Sequence, residues 1–201
     1  MFSLFLKGGP LMWPILIVSL TAITVTVERL IFMVREQKSR SPETVTSILE
    51  HAEHGRLDEA IKAGENSEDF VAKVLVYGLS HTERSLSNGL LLSANRELKR
   101  FSQGLAILDT IITLAPLLGL LGTVTGMIHA FGLLGAKGLE APTVITGGIS
   151  EALIATAFGL FVAIVALVPF NYLNARLEDA RHEVEDAATY LETVVLKKGA
   201  N

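Results

Sequence analysis

The sequence predicts an all-α membrane protein with three transmembrane helices, in which long helices extend into a cytoplasmic helical bundle. Three observations predict it. Half of the 201 residues are hydrophobic and 19% are charged. The mean hydropathy is +0.46, too apolar a balance for an ordinary water-soluble domain. Three stretches are uncharged over, or close to, the roughly 20 residues that cross a bilayer core. Elsewhere apolar residues recur at helical spacing, and no alternating strand pattern appears.

The composition also excludes classes of function. There is no cysteine, hence neither a disulfide framework nor a thiolate metal site. A net charge of -4 gives no reason to expect nucleic acid as a partner. Six prolines and little low-complexity sequence argue against extensive disorder.

Residues 1–35 form an outer lead and the first span. Phe2, Leu4, Phe5 and Leu6 precede Gly8-Gly9-Pro10, and Trp13 suits the headgroup level. Leu11 to Val27 carries no charge, and Leu30 to Val34 continues the span past Glu28 and Arg29. Its length, the single preceding Lys7 and the lack of a small-x-small cleavage site make it a retained anchor rather than a signal peptide. Thr21, Thr24 and Thr26 are read as bonding their own helix's carbonyls. Glu28-Arg29 reads as an interfacial pair with Arg29 snorkelling to water.

Residues 36–104 read as a cytoplasmic helical domain. Ser41-Pro42 is an N-cap and first-turn proline, followed by the face Val45, Ile48, Leu49 and Ala52 and a break at His54-Gly55. Leu57, Ala60 and Ile61 form a short helix ended by Gly64, and Phe70, Val71, Val74 and Leu75 begin a third. From about Glu83 the pattern Leu86, Leu90, Ala94, Leu98, Phe101, Leu105, Leu108 carries a fourth helix directly into the second span. His51, His54 and His81 lack tight ligand spacing and read as surface histidines, not a metal site.

Residues 105–173 form a hairpin of the second and third spans. The second runs from Thr110 to Leu134, with His129 its only ionisable residue; Gly119, Gly122, Thr123 and Gly126 give it a small-residue ridge, and Pro116 is a candidate kink. The third runs uncharged from Ala152 to Leu173, within a helix expected from 146 to about 195 whose last part, 174–201, is a cytoplasmic C-terminal helix. One stripe runs through that helix in steps of four and three: Ala152, Thr156, Gly159, Ala163, Ala166, Phe170, Leu173 and on to Leu191 and Val194. Such spacing keeps one seam facing a neighbouring helix.

Of 17 Lys and Arg, only Lys7 and Lys137 lie in the first ten residues or in the loop between spans two and three. The positive-inside rule therefore places the N-terminus outside, 36–104 inside, 135–145 outside and the C-terminus inside.

The short Gly- and Pro-containing loop makes spans two and three antiparallel, so depths can be matched. Residues whose numbers add to about 280 sit level at 1.5 Å per residue. Thr123 then lies level with Thr156, roughly 15 Å below the outer helix ends. His129 lies level with Glu151 further out, and Asp109 with Asn171 near the inner face. Each rung has a plainer role: threonines as helix glue, Glu151 and His129 as solvated boundary groups stabilised by a helix end, Asp109 and Asn171 as interface markers. Together they make a broken polar ladder, and an intramembrane acid beside a hydroxyl is a functional candidate. No catalytic constellation appears: no G-x-x-x-x-G-K loop, no H-E-x-x-H, and no base beside Ser150. The protein is therefore read as a non-enzyme without cofactor or metal.

Two segments carry a resemblance. Leu114-Ala-Pro-Leu-Leu-Gly-Leu-Leu-Gly-Thr-Val-Thr-Gly-Met-Ile128 and Gly148-Ile-Ser-Glu-Ala-Leu-Ile-Ala-Thr-Ala-Phe-Gly-Leu160 resemble the MotA/TolQ/ExbB proton-channel family, most closely its ExbB branch. Gly9-Pro10-Leu-Met-Trp-Pro-Ile-Leu16 and Glu28-Arg-Leu30 are similar to ExbB-type first spans. The resemblance implies an inner-membrane homopentamer whose second and third spans line a pore. The pore would hold the membrane helix of an ExbD- or TolR-like partner, whose aspartate carries the proton, and would drive a TonB- or TolA-like protein in outer-membrane transport. It also implies that Thr123 and Thr156 are pore hydroxyls, that Glu151 is the acid near the pore mouth, and that the seam faces the pore axis or a neighbouring subunit. His129, Asp109 and Asn171 are weaker candidates. A TolQ-like role in envelope integrity, sodium in place of the proton, and a non-conducting membrane scaffold remain as alternatives.

Overall fold

The computed structural model describes Phe5 and residues 7–82, 85–137 and 142–199. Among them are seven helices: α1 Met12–Lys38, α2 Pro42–Glu53, α3 Leu57–Gly64, α4 Phe70–Ser80, α5 Leu86–Ser102, α6 Leu105–Lys137 and α7 Pro142–Gly199. No strand occurs among the described residues. Three stretches are long and apolar enough to cross a membrane. They lie in α1, in Leu86–Gly132 and in Thr146–Lys197, with mean hydropathies of 2.0, 2.0 and 2.5. The chain divides into two compact units, Met1–Arg29 with Gly104–Tyr172, and Leu30–Gln103 with Leu173–Asn201.

The expected fourth helix is not continuous with the second span. The start expected near Glu83 falls on residues outside the described ones; α5 begins at Leu86, where the Ser85 hydroxyl accepts from the Asn88 N–H at 3.3 Å. It ends at Ser102, and Gly104 follows at φ +77°. A left-handed glycine just past a helix end is a normal C-terminal stop. Apolar periodicity runs unbroken across it through Phe101 and Leu105, which is why the pattern read as one helix. A Cβ at Gly104 would lie 3.0 Å from Val25 Cγ1 and 3.3 Å from Arg29 Cδ. Arg29 is thereby corrected: it is 6% exposed, paired with Glu28 and packed on this glycine, rather than reaching to water.

In the first unit α6 and α7 pack as an antiparallel hairpin through small residues. A Cβ at Gly119 would lie 2.9 Å from Thr156 Cα, and one at Gly159 would lie 2.5 Å from the Ala115 carbonyl oxygen. Backbones this close bring dispersion contacts that side chains elsewhere would block. The seam of α7 is accordingly buried within the chain: Ala152, Gly159, Ala163 and Ala166 have little exposure. The seam was expected to face a pore or another subunit; from Ala152 to Gly159 it meets α6 of the same chain instead, while Ala166 lies beside Ala22 and Thr26 of α1. What remains open is mainly apolar: Leu117, Leu120, Val124, Ile128 and Phe131 on α6, and Leu153, Phe161, Ile164 and Val168 on α7. Thr21 and Thr24 bond the Ile17 and Leu20 carbonyls, as their sequence context suggested. Pro116 lies inside α6 without ending it.

The second unit is a helical bundle of conventional chemistry. Its core holds Ile48, Phe70, Val74, Leu75, Leu90 and Phe101, with Leu173, Leu177, Val184 and Leu191 from α7. Phe101 meets Phe32 and Phe70 edge-on at 5.4 and 5.0 Å, a favoured aromatic arrangement. Asp69 is fully buried and saturated. Its carboxylate accepts from Val71 N–H at 2.8 Å, Ser41 N–H at 2.7 Å and Arg40 at 2.8 Å. It caps α4, while Ser41, at the cap position of α2, makes no side-chain cap bond. Arg40 also pairs with Glu183 of α7 and lies 4.6 Å above the Phe70 ring.

Candidate functional site

Of the three expected rungs, one closes. Thr123 Oγ1 and Thr156 Oγ1 lie 3.1 Å apart. The Thr156 hydroxyl donates to the Gly119 carbonyl across the helix interface at 2.8 Å, and the Thr123 hydroxyl lies 2.8 Å from the Leu120 carbonyl. This geometry follows from Gly119, since any side chain there would collide with the Thr156 backbone. Each hydroxyl has one proton, so the pair is both the glue that intramembrane threonines commonly provide and a polar point in an apolar hairpin. Both threonines are half-buried. Thr123 lies along the open groove lined by Leu120, Val124, Met127, Ile128 and Phe131.

The other rungs do not close. His129 is exposed, Glu151 is half-buried, and Asp109 and Asn171 are both exposed. Depth matching placed residues at one level but not on one side. At about 100° per residue, six residues from Thr123 to His129 turn the helix through about 240°, and five from Thr156 to Glu151 turn it through about 140°. The contacts at that depth are instead made by Gly126 against Ala152, and by Gly148 against Ala130.

Glu151 meets a residue that the sequence reading did not connect with it. Gly9, at φ +75°, lies so close that Glu151 Oε1, Cδ and Cγ are the three atoms nearest to where a Cβ would stand. A Gly-Gly-Pro turn ahead of an apolar span was the available signal. The sequence alone carries nothing that pairs that turn with a residue more than 140 positions away.

Charge is distributed simply. Between Lys7 and Glu28, between Asp109 and His129, and between Glu151 and Arg176, no charged side chain occurs. The three apolar spans thus present hydroxyls at their centre and no acid. The three histidines of residues 36–104 do not gather: His51 Nδ1 lies 3.4 Å from Glu59, while His54 and His81 hold the Glu50 and Tyr77 carbonyls. No group of three metal-ligating side chains occurs among the described residues.

Residues 65–186, more than half of the chain, match the model of the MotA/TolQ/ExbB proton channel family. The chain is 39% identical over 182 residues to the biopolymer transport protein ExbB-like 1 of Synechocystis sp., covering 84% of this chain and 68% of that protein. It is 46% identical over 77 residues to the biopolymer transport protein ExbB of Neisseria gonorrhoeae, covering 38% of this chain and 35% of the relative. It is 41% identical over 86 residues to the Tol-Pal system protein TolQ of Haemophilus influenzae, covering 43% and 38%. The last two matches thus span little more than a third of each relative.

Proposed function

Because the chain belongs to the MotA/TolQ/ExbB proton channel family, we propose that it is the ring-forming subunit of a proton-driven inner-membrane motor of ExbB type. Its N-terminus faces the periplasm and its C-terminus the cytoplasm. Five copies surround the membrane helix of an ExbD-like partner, and the complex energises a TonB-like protein for outer-membrane transport. The observation that carries this reading is the hydroxyl pair Thr123–Thr156, set beside an open apolar face in spans that hold no acid of their own. A proton crossing such spans lacks a central relay, and an incoming acidic helix supplies one.

In this reading the threonines hold the partner's carboxylate while it is charged. To do so, a hydroxyl swings away from a carbonyl of its own hairpin, exchanging a bond worth about 1 kcal/mol for a charge-assisted one of roughly twice that strength. The small residues do not line the space in which the partner moves, since α6 and α7 use them against each other. The large apolar side chains Leu120, Val124, Ile128 and Leu153 are the surface the partner or the neighbouring subunit meets. Glu151 is the acid at the periplasmic mouth; His129, Asp109 and Asn171 are secondary positions along the path. The TolQ match favours a second reading, in which the same motor serves envelope integrity through a TolA-like protein.

The test is proton uptake by vesicles holding the chain with its single-span partner, under an imposed membrane potential. Thr156→Val and Glu151→Gln are each expected to lower partner-dependent uptake at least tenfold. Unchanged uptake in Thr156→Val removes the hydroxyl role. Unchanged uptake in Glu151→Gln reduces that acid to a boundary group, and no flux with the partner present leaves the scaffold. Uptake that follows sodium rather than protons replaces the ion.

A further inference from the structure

The turn Gly8-Gly9-Pro10 is not a loose lead into α1. The Gly8 N–H bonds the Phe5 carbonyl at 3.1 Å, and the Met12 N–H bonds the Gly9 carbonyl at 3.2 Å. The Phe5 ring meets the Trp13 ring edge-on at 5.4 Å. Met12 and Ile15, which follow the turn, are 1% and 2% exposed. The turn lies across one face of α7: a Cβ at Gly8 would stand 3.0 Å from Ile154 Cγ2, and one at Gly9 would overlap the Glu151 carboxylate. Glu151 and Ile154 are three residues apart, hence on the same side of the helix.

Two requirements therefore meet at Gly9. The backbone stands at φ +75°, where a side chain is strained, and a carboxylate occupies the place a side chain would take. Any L-residue with a Cβ must push that carboxylate away. The polarised Cα–H bonds of a glycine are a weak but favourable contact for an oxygen anion.

We propose that Gly9 seats the Glu151 carboxylate: the Gly8–Pro10 turn covers this acid, and the absence of a Cβ fixes where the carboxylate stands and how open it is to its surroundings. Gly9 is thus a positioning residue, acting through Glu151. The inference rests on the reading of Glu151 as part of the ion path only for its effect on flux; the seating itself is a statement of geometry.

The experiment uses the chain assembled with its single-span partner and dicyclohexylcarbodiimide, an apolar reagent that captures protonated carboxyls inside membranes. Labelling of Glu151 is followed by mass spectrometry, with Glu151→Gln as the blank. Gly9→Ala is expected to speed labelling at least threefold, because the displaced carboxylate loses its cover. Gly9→Asn is expected to match it, since asparagine tolerates the left-handed region but still carries a Cβ; the carboxylate's displacement, not backbone strain, is then the cause. Proton uptake should fall in Gly9→Ala, while Gly9→Ala combined with Glu151→Asp should conduct like Glu151→Asp alone. The shorter acid withdraws from the added methyl, and two residues in contact are not additive. Unchanged or slower labelling in both Gly9 variants overturns the seat, as do effects of Gly9→Ala and Glu151→Asp that simply multiply. If Glu151→Gln conducts normally, the ion-path reading fails, and the labelling rates still decide the seat.

Discussion

The two units of this chain are held together by different chemistry, although both are made of helices and α7 contributes to each. In the first unit the contacts are glycine against backbone or an alanine methyl: Gly119 on the Thr156 backbone, Gly159 on the Ala115 and Gly119 backbones, Gly122 on the Ala155 methyl. In the second unit the contacts are aromatic rings, leucines and a part-buried ion pair, with Phe101 between Phe32 and Phe70 and Asp69 held by Arg40. The solvent explains the contrast. Lipid tails are as apolar as leucine, so burying leucine between membrane helices gains little, and close backbone approach with a few hydrogen bonds must suffice. In water the burial of large side chains is itself the driving force. The seam of α7 shows the change along one helix, from Ala152, Gly159 and Ala163 to Leu173, Leu177 and Leu191, all little exposed.

The comparison breaks most sharply at Gly159. Gly159→Val would drive a branched side chain into the Ala115 carbonyl and the Gly119 backbone, neither of which can rotate away. We expect a loss of about 3 kcal/mol or more, read as a lowered unfolding midpoint in mixed micelles. The same change at a residue facing the open side of α7, such as Ala157, which is exposed, should leave the midpoint unmoved.

In the second unit the equivalent point is a charge. Asp69→Ala removes the cap of α4 and one of the two carboxylates of Arg40, which keeps Glu183. The expected loss is about 2–3 kcal/mol, visible as a lower thermal midpoint, with Asp69→Asn losing about half because it retains a cap acceptor. Equal effects for the two substitutions would mean that the ion pair matters and the cap does not.

How much of this was legible in the sequence follows the same division. Helix ends marked by Gly55, Gly64 and Ser41-Pro42 were readable because they are local signals. That Thr123 and Thr156 lie level was readable because a short loop sets the register of two antiparallel helices; that their hydroxyls meet was not, because level says nothing of which side of each helix a residue takes. Gly104 was missed because apolar periodicity continues past it, and periodicity carries no record of a single residue's φ. Arg29 was misread because snorkelling is a rule for lipid-facing chains, and the side chain instead has Gly104 to pack on. The seam was assigned to an outside neighbour because a stripe of small residues says that a helix packs closely without saying against which helix. Gly9 beside Glu151 depends on a contact between distant segments, which no local pattern encodes.

The smallest stability effect expected is also the sharpest functional one. Thr156→Val keeps the shape and removes one hydrogen bond to Gly119, a loss of about 0.6 kcal/mol in a membrane interior. The same variant is expected to lose at least tenfold in proton uptake. A drop in midpoint as large as that of Gly159→Val would make Thr156 structural first, and its effect on flux secondary.

The proposed ring around a partner helix is tested most directly by the native mass of the purified complex. The chain is to be co-expressed with its candidate single-span partner and weighed in mild detergent. Five copies holding a smaller number of partner chains is the result expected. A monomer or dimer without partner, stable across several mild detergents, would contradict the ring and leave a membrane scaffold.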